Sequence, residues 1–97
     1  MPSPKGIERK VNYKRFAEVW WLLRIEARQL RGISRKKLAA AIGYPPDQAG
    51  FITDIDRGNR IPEPATLDKL TTCMGLAYED KSLLFDLRAR AKSGGLN

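Results

Sequence analysis

The side chains that could carry out chemistry in this sequence are few and widely spaced. The chain has no histidine and one cysteine, Cys73. The commonest general base is therefore absent, and neither an internal disulfide nor a cysteine-based zinc cluster can form. Glu18 with Glu26, and Asp54 with Asp56, are spaced as solvated helical acids normally are. Because no nucleophile–base pair and no phosphate-cradling glycine loop accompany them, the sequence predicts no enzyme, no metal site and no cofactor.

The basic residues are concentrated at one end of the chain. Residues 1–37 carry 11 Lys/Arg and 3 Asp/Glu, a net charge of 11 − 3 = +8, and residues 38–97 carry 7 and 8, a net charge of 7 − 8 = −1. A concentrated positive charge attracts nucleic-acid phosphates through the release of counterions. Charge alone leaves two interpretations open, a nucleic-acid-binding surface or a solvated basic tail.

Hydrophobic periodicity and capping residues predict one all-α domain of five helices, over residues 12–92. Residues 1–11 contain two prolines and a glycine and are predicted to be a flexible basic arm. Asn12 and Ser34 are expected to cap the first two helices. The predicted helices are 13–31, 35–42, 48–57, 65–74 and 80–91, and residues 93–97 are predicted to form a frayed tail.

The first of these helices is unusually apolar. Its consecutive run Val19–Leu23 points apolar side chains in almost every direction, so more than one of its faces must be covered. A C-terminal helix or a partner subunit could do this, and burial of a tryptophan in the chain's own core is favoured. The side chains predicted to face inward are Phe16, Trp20, Leu23, Ala27, Leu30, Phe51, Ile52, Ile55, Leu67, Leu70, Met74, Leu83, Leu84 and Leu87.

The middle of the chain has the order of segments expected for a helix-turn-helix. A short capped helix ends at Gly43, a turn with two prolines follows, and a second helix ends at Ile55-Asp56-Arg57-Gly58. Over about residues 19–76 the sequence resembles the lambda-repressor-like (Cro/cI/Xre-type) helix-turn-helix family. The resemblance is carried by Leu22, Arg28, Gly32-Ile33-Ser34, Leu38-Ala39, Ile42-Gly43, Ile52, Ile55-Asp56-Arg57-Gly58, Pro62 to Pro64, Leu67, Leu70 and Gly75-Leu76.

This resemblance implies roles for particular side chains. Arg28 is expected to form a structural salt bridge with Asp56 that holds the third helix against the first. Arg57 and Arg60 are expected to follow the phosphate backbone. Four residues, Gln48, Ala49, Thr53 and Asp54, are expected on the outward face of the recognition helix. The full set of residues that the resemblance implies for DNA binding is Arg35, Lys36, Lys37, Gln48, Ala49, Thr53, Asp54, Arg57 and Arg60.

Two features depart from the family pattern. Fourteen residues separate Gly43 from Gly58, more than the family commonly has, which leaves the register of the recognition helix open. The segment from Asp47 to Asp68 contains five acids and only two basic residues. DNA affinity is therefore expected to depend more on the flanking basic residues. A basic arm could also reach a neighbouring groove, or act only as a solubilising tail, and its basic side chains are Lys5, Arg9, Lys10, Lys14 and Arg15.

The expected function is that of a sequence-specific DNA-binding transcriptional regulator, a repressor acting as a homodimer on a palindromic operator. The alternative is a protein-interaction module on the same fold, antitoxin-like or regulator-binding, with weak or no DNA binding. Its partner would dock through Trp20 and Trp21 or through the fifth helix. Because there is no secretory signal and no apolar run long enough to span a membrane, the expected location is the cytoplasm.

Overall fold

A computed structural model describes residues 4–92, and all regular structure within this range is helical. The prediction of an all-α chain is confirmed. The structure has five α-helices within these residues and a single 3-10 turn, Pro46–Gln48. The helices are α1 Pro4–Arg31, α2 Arg35–Ala41, α3 Gly50–Asp56, α4 Pro64–Met74 and α5 Tyr78–Lys92. Residues 1–3 of the predicted arm and the predicted tail, 93–97, lie outside the described residues.

Helix α1 begins nine residues before the position predicted from the sequence. Most of the expected arm is helical, and Asn12 lies inside α1 instead of capping it. Pro4 occupies the first turn, where its missing N–H is not needed and its fixed φ angle suits a helix. Beyond it, residues 5–12 contain no proline and several good helix formers. A helix that starts at Pro4 therefore meets no strong breaker before Tyr13.

A tight turn joins α1 to α2. Gly32 adopts a left-handed conformation with φ of 70°, which glycine reaches without steric cost. The backbone N–H of Ile33 donates to the Ala27 carbonyl at 3.4 Å, an arrangement typical of helix C-termini. The Ser34 side chain then accepts a hydrogen bond from the Lys37 backbone N–H at 3.2 Å. The predicted cap of α2 is confirmed.

The segment between α2 and α3 is more structured than predicted. Its prolines accommodate a 3-10 turn at Pro46–Gln48, and α3 begins only at Gly50. The prediction of a helix over 48–57 was therefore wrong at its start. The ring of Tyr44 packs against that of Phe51, with centroids 5.3 Å apart and planes inclined by 59°. This contact fixes the extra residues of the turn against the first turn of α3.

The core lies where α1 crosses the other helices. Helix α1 packs against α3, α4 and α5, and α2 packs against α3 and α4. Trp20 is completely buried and stacks on Phe16 with ring centroids 6.3 Å apart. The expected tryptophan in the chain's own core is thus confirmed. The other buried apolar side chains of this cluster include Ala27, Leu38, Ile52, Ile55, Leu67, Leu70, Met74, Leu84 and Leu87.

Two side chains predicted to face inward are exposed instead. Leu30 is 70% exposed and Leu83 is 44% exposed. Helix α1 also exposes 68% of Leu22 on its outer side. None of the helices within residues 4–92 combines the length and apolar character required to cross a bilayer.

We expect the core position Leu70 and the surface position Leu22 to respond very differently to truncation. Leu70→Ala should lower the free energy of unfolding by about 2–5 kcal/mol, because it leaves a cavity in a fully buried site. Leu22→Ala should change it by no more than about 0.5 kcal/mol. Urea unfolding followed by tryptophan fluorescence measures both values, and equal losses would contradict the arrangement of α1 and α4.

Candidate nucleic-acid interface

The Asp56 carboxylate ties the end of α3 to the middle of α1. Its Oδ1 accepts hydrogen bonds from Trp20 Nε1 and Arg24 Nε, and its Oδ2 accepts one from Arg24 Nη2, each at 2.7 Å. The side chains of Arg24 and Asp56 are only 4% and 6% exposed. Charge-assisted, two-point pairing of this kind fixes both distance and orientation. The cluster therefore sets where α3 lies relative to α1.

The partner of Asp56 differs from the one that the family resemblance implied. The predicted arginine, Arg28, is exposed, and the arginine one turn earlier, Arg24, forms the salt bridge. Arg24 lies four residues after Trp20, so both side chains emerge on the buried side of α1, at the level where α3 crosses it. The four-residue spacing of Phe16, Trp20 and Arg24 is the sequence pattern that could have placed Arg24 on the buried side of α1.

The Arg24 guanidinium has one further contact. Its Cζ lies 5.0 Å from the centroid of the Trp21 ring, within the range of a cation–π interaction. Its remaining nitrogen, Nη1, is buried and has no hydrogen-bond partner within the described part of the chain. The ring face thus supplies part of the stabilisation that water would otherwise give to this side of the guanidinium.

The beginning of α2 lies beside the middle of α3. Arg35 donates a hydrogen bond from Nη1 to Thr53 Oγ1 at 3.1 Å. Lys36 and Lys37 follow on α2, and all three basic side chains are exposed. Within residues 4–92, neither lysine forms an ion pair. The structure therefore brings Arg35, the first residue of this predicted basic group, next to α3.

The four predicted base-contacting residues do not share one helical face. Gln48 is exposed but belongs to the 3-10 turn, and Ala49 is half-buried at the start of α3. Thr53 accepts the hydrogen bond from Arg35, and Asp54 Oδ2 lies 3.8 Å from Arg60 Nε. The prediction that all four lie on the outward face of a single helix is wrong, because α3 starts two residues later than expected.

The chain leaves α3 close to α1. Gly58 has φ of 78° and is buried, and a Cβ built on it would lie 3.5 Å from Ala17 Cβ. Arg57 immediately before it is exposed. The Arg60 guanidinium lies over the Phe51 ring, 4.9 Å from its centroid. Glycine at position 58 thus lets the chain turn while the two neighbouring arginines stay at the surface.

A cleft of about 570 Å³ opens between α1 on one side and α2 and α3 on the other. Helix α1 contributes Lys14, Glu18 and Trp21, α2 contributes Arg35, and Arg57 follows α3. Asp56 also lines the cleft. The salt bridge described above therefore lies in the wall of an open, positively charged cavity.

Some cations elsewhere in the fold pair with carboxylates. Lys81 Nζ lies 2.6 Å from Asp68 Oδ1, and Arg88 Nη2 lies 3.3 Å from Glu63 Oε1, so each pair joins α5 to α4 or to the residue before it. In contrast, Arg57 has no ion pair within the described range. Among the described residues, exposed cations without a carboxylate partner thus include Arg57, Lys36 and Lys37 on this side, as well as Lys69 on α4 and Lys92 on α5.

Comparison with known proteins gives no further assignment, since no family model, curated protein or solved structure matches this chain. Among the side chains that the structure describes, no group of three or more Cys, Asp or Glu is arranged to hold a metal ion. The candidate interface rests on the geometry of its own residues.

We expect Asp56 and Arg28 to differ sharply in their effect on stability. Asp56→Ala leaves the Arg24 guanidinium buried without its counter-charge, so the free energy of unfolding should fall by about 3–5 kcal/mol. Arg28→Ala removes an exposed side chain and should change this value by less than about 0.5 kcal/mol. Thermal and urea unfolding measure both effects. A larger loss in Arg28→Ala than in Asp56→Ala would contradict the Arg24–Asp56 pairing.

Proposed function

We propose that this chain is a sequence-specific DNA-binding regulator of the lambda-repressor-like helix-turn-helix class. The observation that carries the proposal is the group of exposed cations at the start of α2 and just after α3. Lys36, Lys37 and Arg57 have no carboxylate partner within residues 4–92, and Arg35 contacts only a neutral hydroxyl. When a surface of this kind binds DNA, its cations displace the counterions condensed on the phosphates, and the release of these counterions favours binding.

The arrangement of α2 and α3 supports this class of function. The two helices contact each other, and both belong to the segment that resembles a helix-turn-helix. In that arrangement one helix supports the backbone contacts while the next enters the major groove. The Asp56 cluster holds α3 rigidly on α1, and a recognition element must be held in this way if its side chains are to meet base edges reproducibly.

The proposed base contacts need a change of partners at α3. Gln48 is exposed and is suited to pair with adenine through two hydrogen bonds. Thr53 and Asp54 are engaged by Arg35 and Arg60 in the free protein. When phosphates attract these two arginines, both side chains become available to bases: the Thr53 methyl group to a thymine methyl, and the Asp54 carboxylate to a cytosine amino group. Phosphate contact would thus precede base contact.

The proposed regulator acts as a homodimeric repressor on a palindromic operator. A single helix-turn-helix module buries only about 600–1,000 Å² on DNA, so two modules on two half-sites are the usual route to useful affinity. Helix α5 offers apolar surface for self-association, since Tyr78 is 80% exposed and Leu83 is 44% exposed. Sedimentation equilibrium with and without a palindromic duplex measures the stoichiometry.

A protein-interaction module is the second candidate function, and exposed apolar side chains of α1 favour it. Trp21 and Leu22 are 44% and 68% exposed and adjacent in sequence. Trp20, the other predicted anchor, cannot serve because it is completely buried. Binding to random duplex DNA separates the two functions. A steep fall of affinity with salt supports the regulator, and no binding at low salt supports the interaction module.

We expect the double variant Arg35→Ala/Arg57→Ala to bind duplex DNA more weakly and with a shallower salt dependence. Loss of two phosphate contacts should reduce the magnitude of the slope of log K against log salt concentration by about 1.8. Fluorescence anisotropy with a labelled duplex at several salt concentrations measures both quantities. The matched control, Lys69→Ala/Lys92→Ala, removes two exposed cations from α4 and α5. An equal loss in the control would mean that net charge alone determines binding.

A further inference from the structure

The cleft between α1 and α2–α3 has the dimensions of a small-molecule site. Its volume is about 570 Å³, within the ~300–1,000 Å³ typical of ligand pockets. It is formed by three separate helices, and the Asp56 cluster holds two of them together. The Asp56 cluster therefore fixes two walls of the cavity relative to each other.

The charges around the cleft favour an anion. Lys14, Arg35 and Arg57 line it, and none of them forms an ion pair within residues 4–92. Of the two acids at the cleft, Asp56 is already neutralised by Arg24, which leaves Glu18. Three cations against one carboxylate give the cavity a net positive charge, and a negatively charged group placed there would be stabilised by it.

The apolar part of the cleft favours a flat ring. Trp21 lines the cavity and is 44% exposed. The Arg24 guanidinium covers part of this ring at 5.0 Å from its centroid, and the exposed remainder of the indole borders the open space. An aromatic ligand gains both buried area and ring–ring attraction on such a surface.

We infer that this cleft binds a small planar aromatic anion, with its ring against Trp21 and its charged group between Arg35 and Arg57. This inference rests on the proposed function in one respect only, which is the expected effect of the ligand on DNA binding by the protein. Because Arg35 and Arg57 belong both to the cleft and to the proposed DNA surface, a bound anion competes with phosphates for them. The cleft is then an effector site built into the DNA-binding domain itself.

The two tryptophans allow a direct test by NMR. Each indole N–H gives its own ¹H–¹⁵N signal. Trp21 lines the cleft, whereas Trp20 is buried and bonded to Asp56. Titration with 2-naphthoate should shift the Trp21 signal in a saturable way and leave the Trp20 signal nearly unchanged. Neutral 2-naphthamide and non-aromatic cyclohexanecarboxylate should each bind at least about tenfold more weakly, since each lacks one of the two required features.

Variants then assign the anion contacts. Arg35→Gln/Arg57→Gln should weaken 2-naphthoate binding by about tenfold or more, while Lys69→Gln, a distant exposed lysine, should leave it unchanged. An unaltered Trp20 signal verifies that the double variant is folded. Adenosine 5′-monophosphate is titrated in parallel. If it binds more tightly than 2-naphthoate, the ligand class is a nucleotide; if 2-naphthoate binds more tightly, the class is an aromatic carboxylate. The inference is overturned if 2-naphthoate leaves Trp21 unshifted, or if 2-naphthamide binds equally well.

The effect of 2-naphthoate on duplex binding is measured separately from its binding to the cleft. If 2-naphthoate binds and also weakens binding to a duplex in proportion to its occupancy, both the site and its effector role are supported. If the duplex binds but 2-naphthoate does not, the cleft site is wrong and the proposed function stands. If 2-naphthoate binds and no duplex binds at low salt, the proposed regulator and the effector role are wrong, and the ligand site stands.

Discussion

The carboxylate of Asp56 accepts three hydrogen bonds from two side chains of α1, and the position of α3 depends on them. Removing a carboxylate and a guanidinium from water is costly, and only close, two-point geometry offsets that cost. The Trp20 indole supplies the third bond from within the core and so couples the ion pair to the burial of the largest side chain. The chain then turns at Gly58 against Ala17. Arg57, between these fixed points, is held at the surface.

Ion pairs join α5 to α4 and to the residue before it, whereas several exposed cations of α2 and the segment after α3 have no such partner within residues 4–92. On the α4–α5 side, Lys81 and Arg88 are paired with Asp68 and Glu63, and these exposed pairs contribute little more than about 1 kcal/mol each. On the α2–α3 side, Lys36, Lys37 and Arg57 remain uncompensated within the described residues. Charge of this kind does not stabilise the fold. It favours a negatively charged partner, either the phosphates of DNA or an anion in the adjoining cleft.

Local signals in the sequence were sufficient for most of the helices. Ser34 and Pro64 place the starts of α2 and α4 to within one residue, because a side-chain cap and a first-turn proline act through neighbouring atoms. Periodicity also identified the buried faces of α1 and α4, apart from Leu30. The 3-10 turn at Pro46–Gln48 was missed, since the packing of Tyr44 on Phe51 that accompanies it is a tertiary contact.

The candidate site was predictable only in part. The basic residues at the start of α2 were identified from their sequence, and the structure places Arg35 beside α3. Which arginine pairs with Asp56 depends on where α3 crosses α1. The family resemblance implied Arg28, which lies one helical turn after the observed partner, Arg24. The engagement of Thr53 by Arg35 and the cleft beside Trp21 depend on three helices at once. No local pattern in the chain specifies such an arrangement.

The most direct test of the account is to map the surface that meets DNA, residue by residue, through backbone amide NMR signals. A ¹⁵N-labelled sample is titrated with a short random duplex at low salt, where phosphate contacts are strongest. The account predicts that the largest shifts fall on residues 35–37 and 53–60, and that α5 is almost unaffected. Shifts confined to α5, or no shift at any site, would contradict the proposal that α2 and α3 form a nucleic-acid interface.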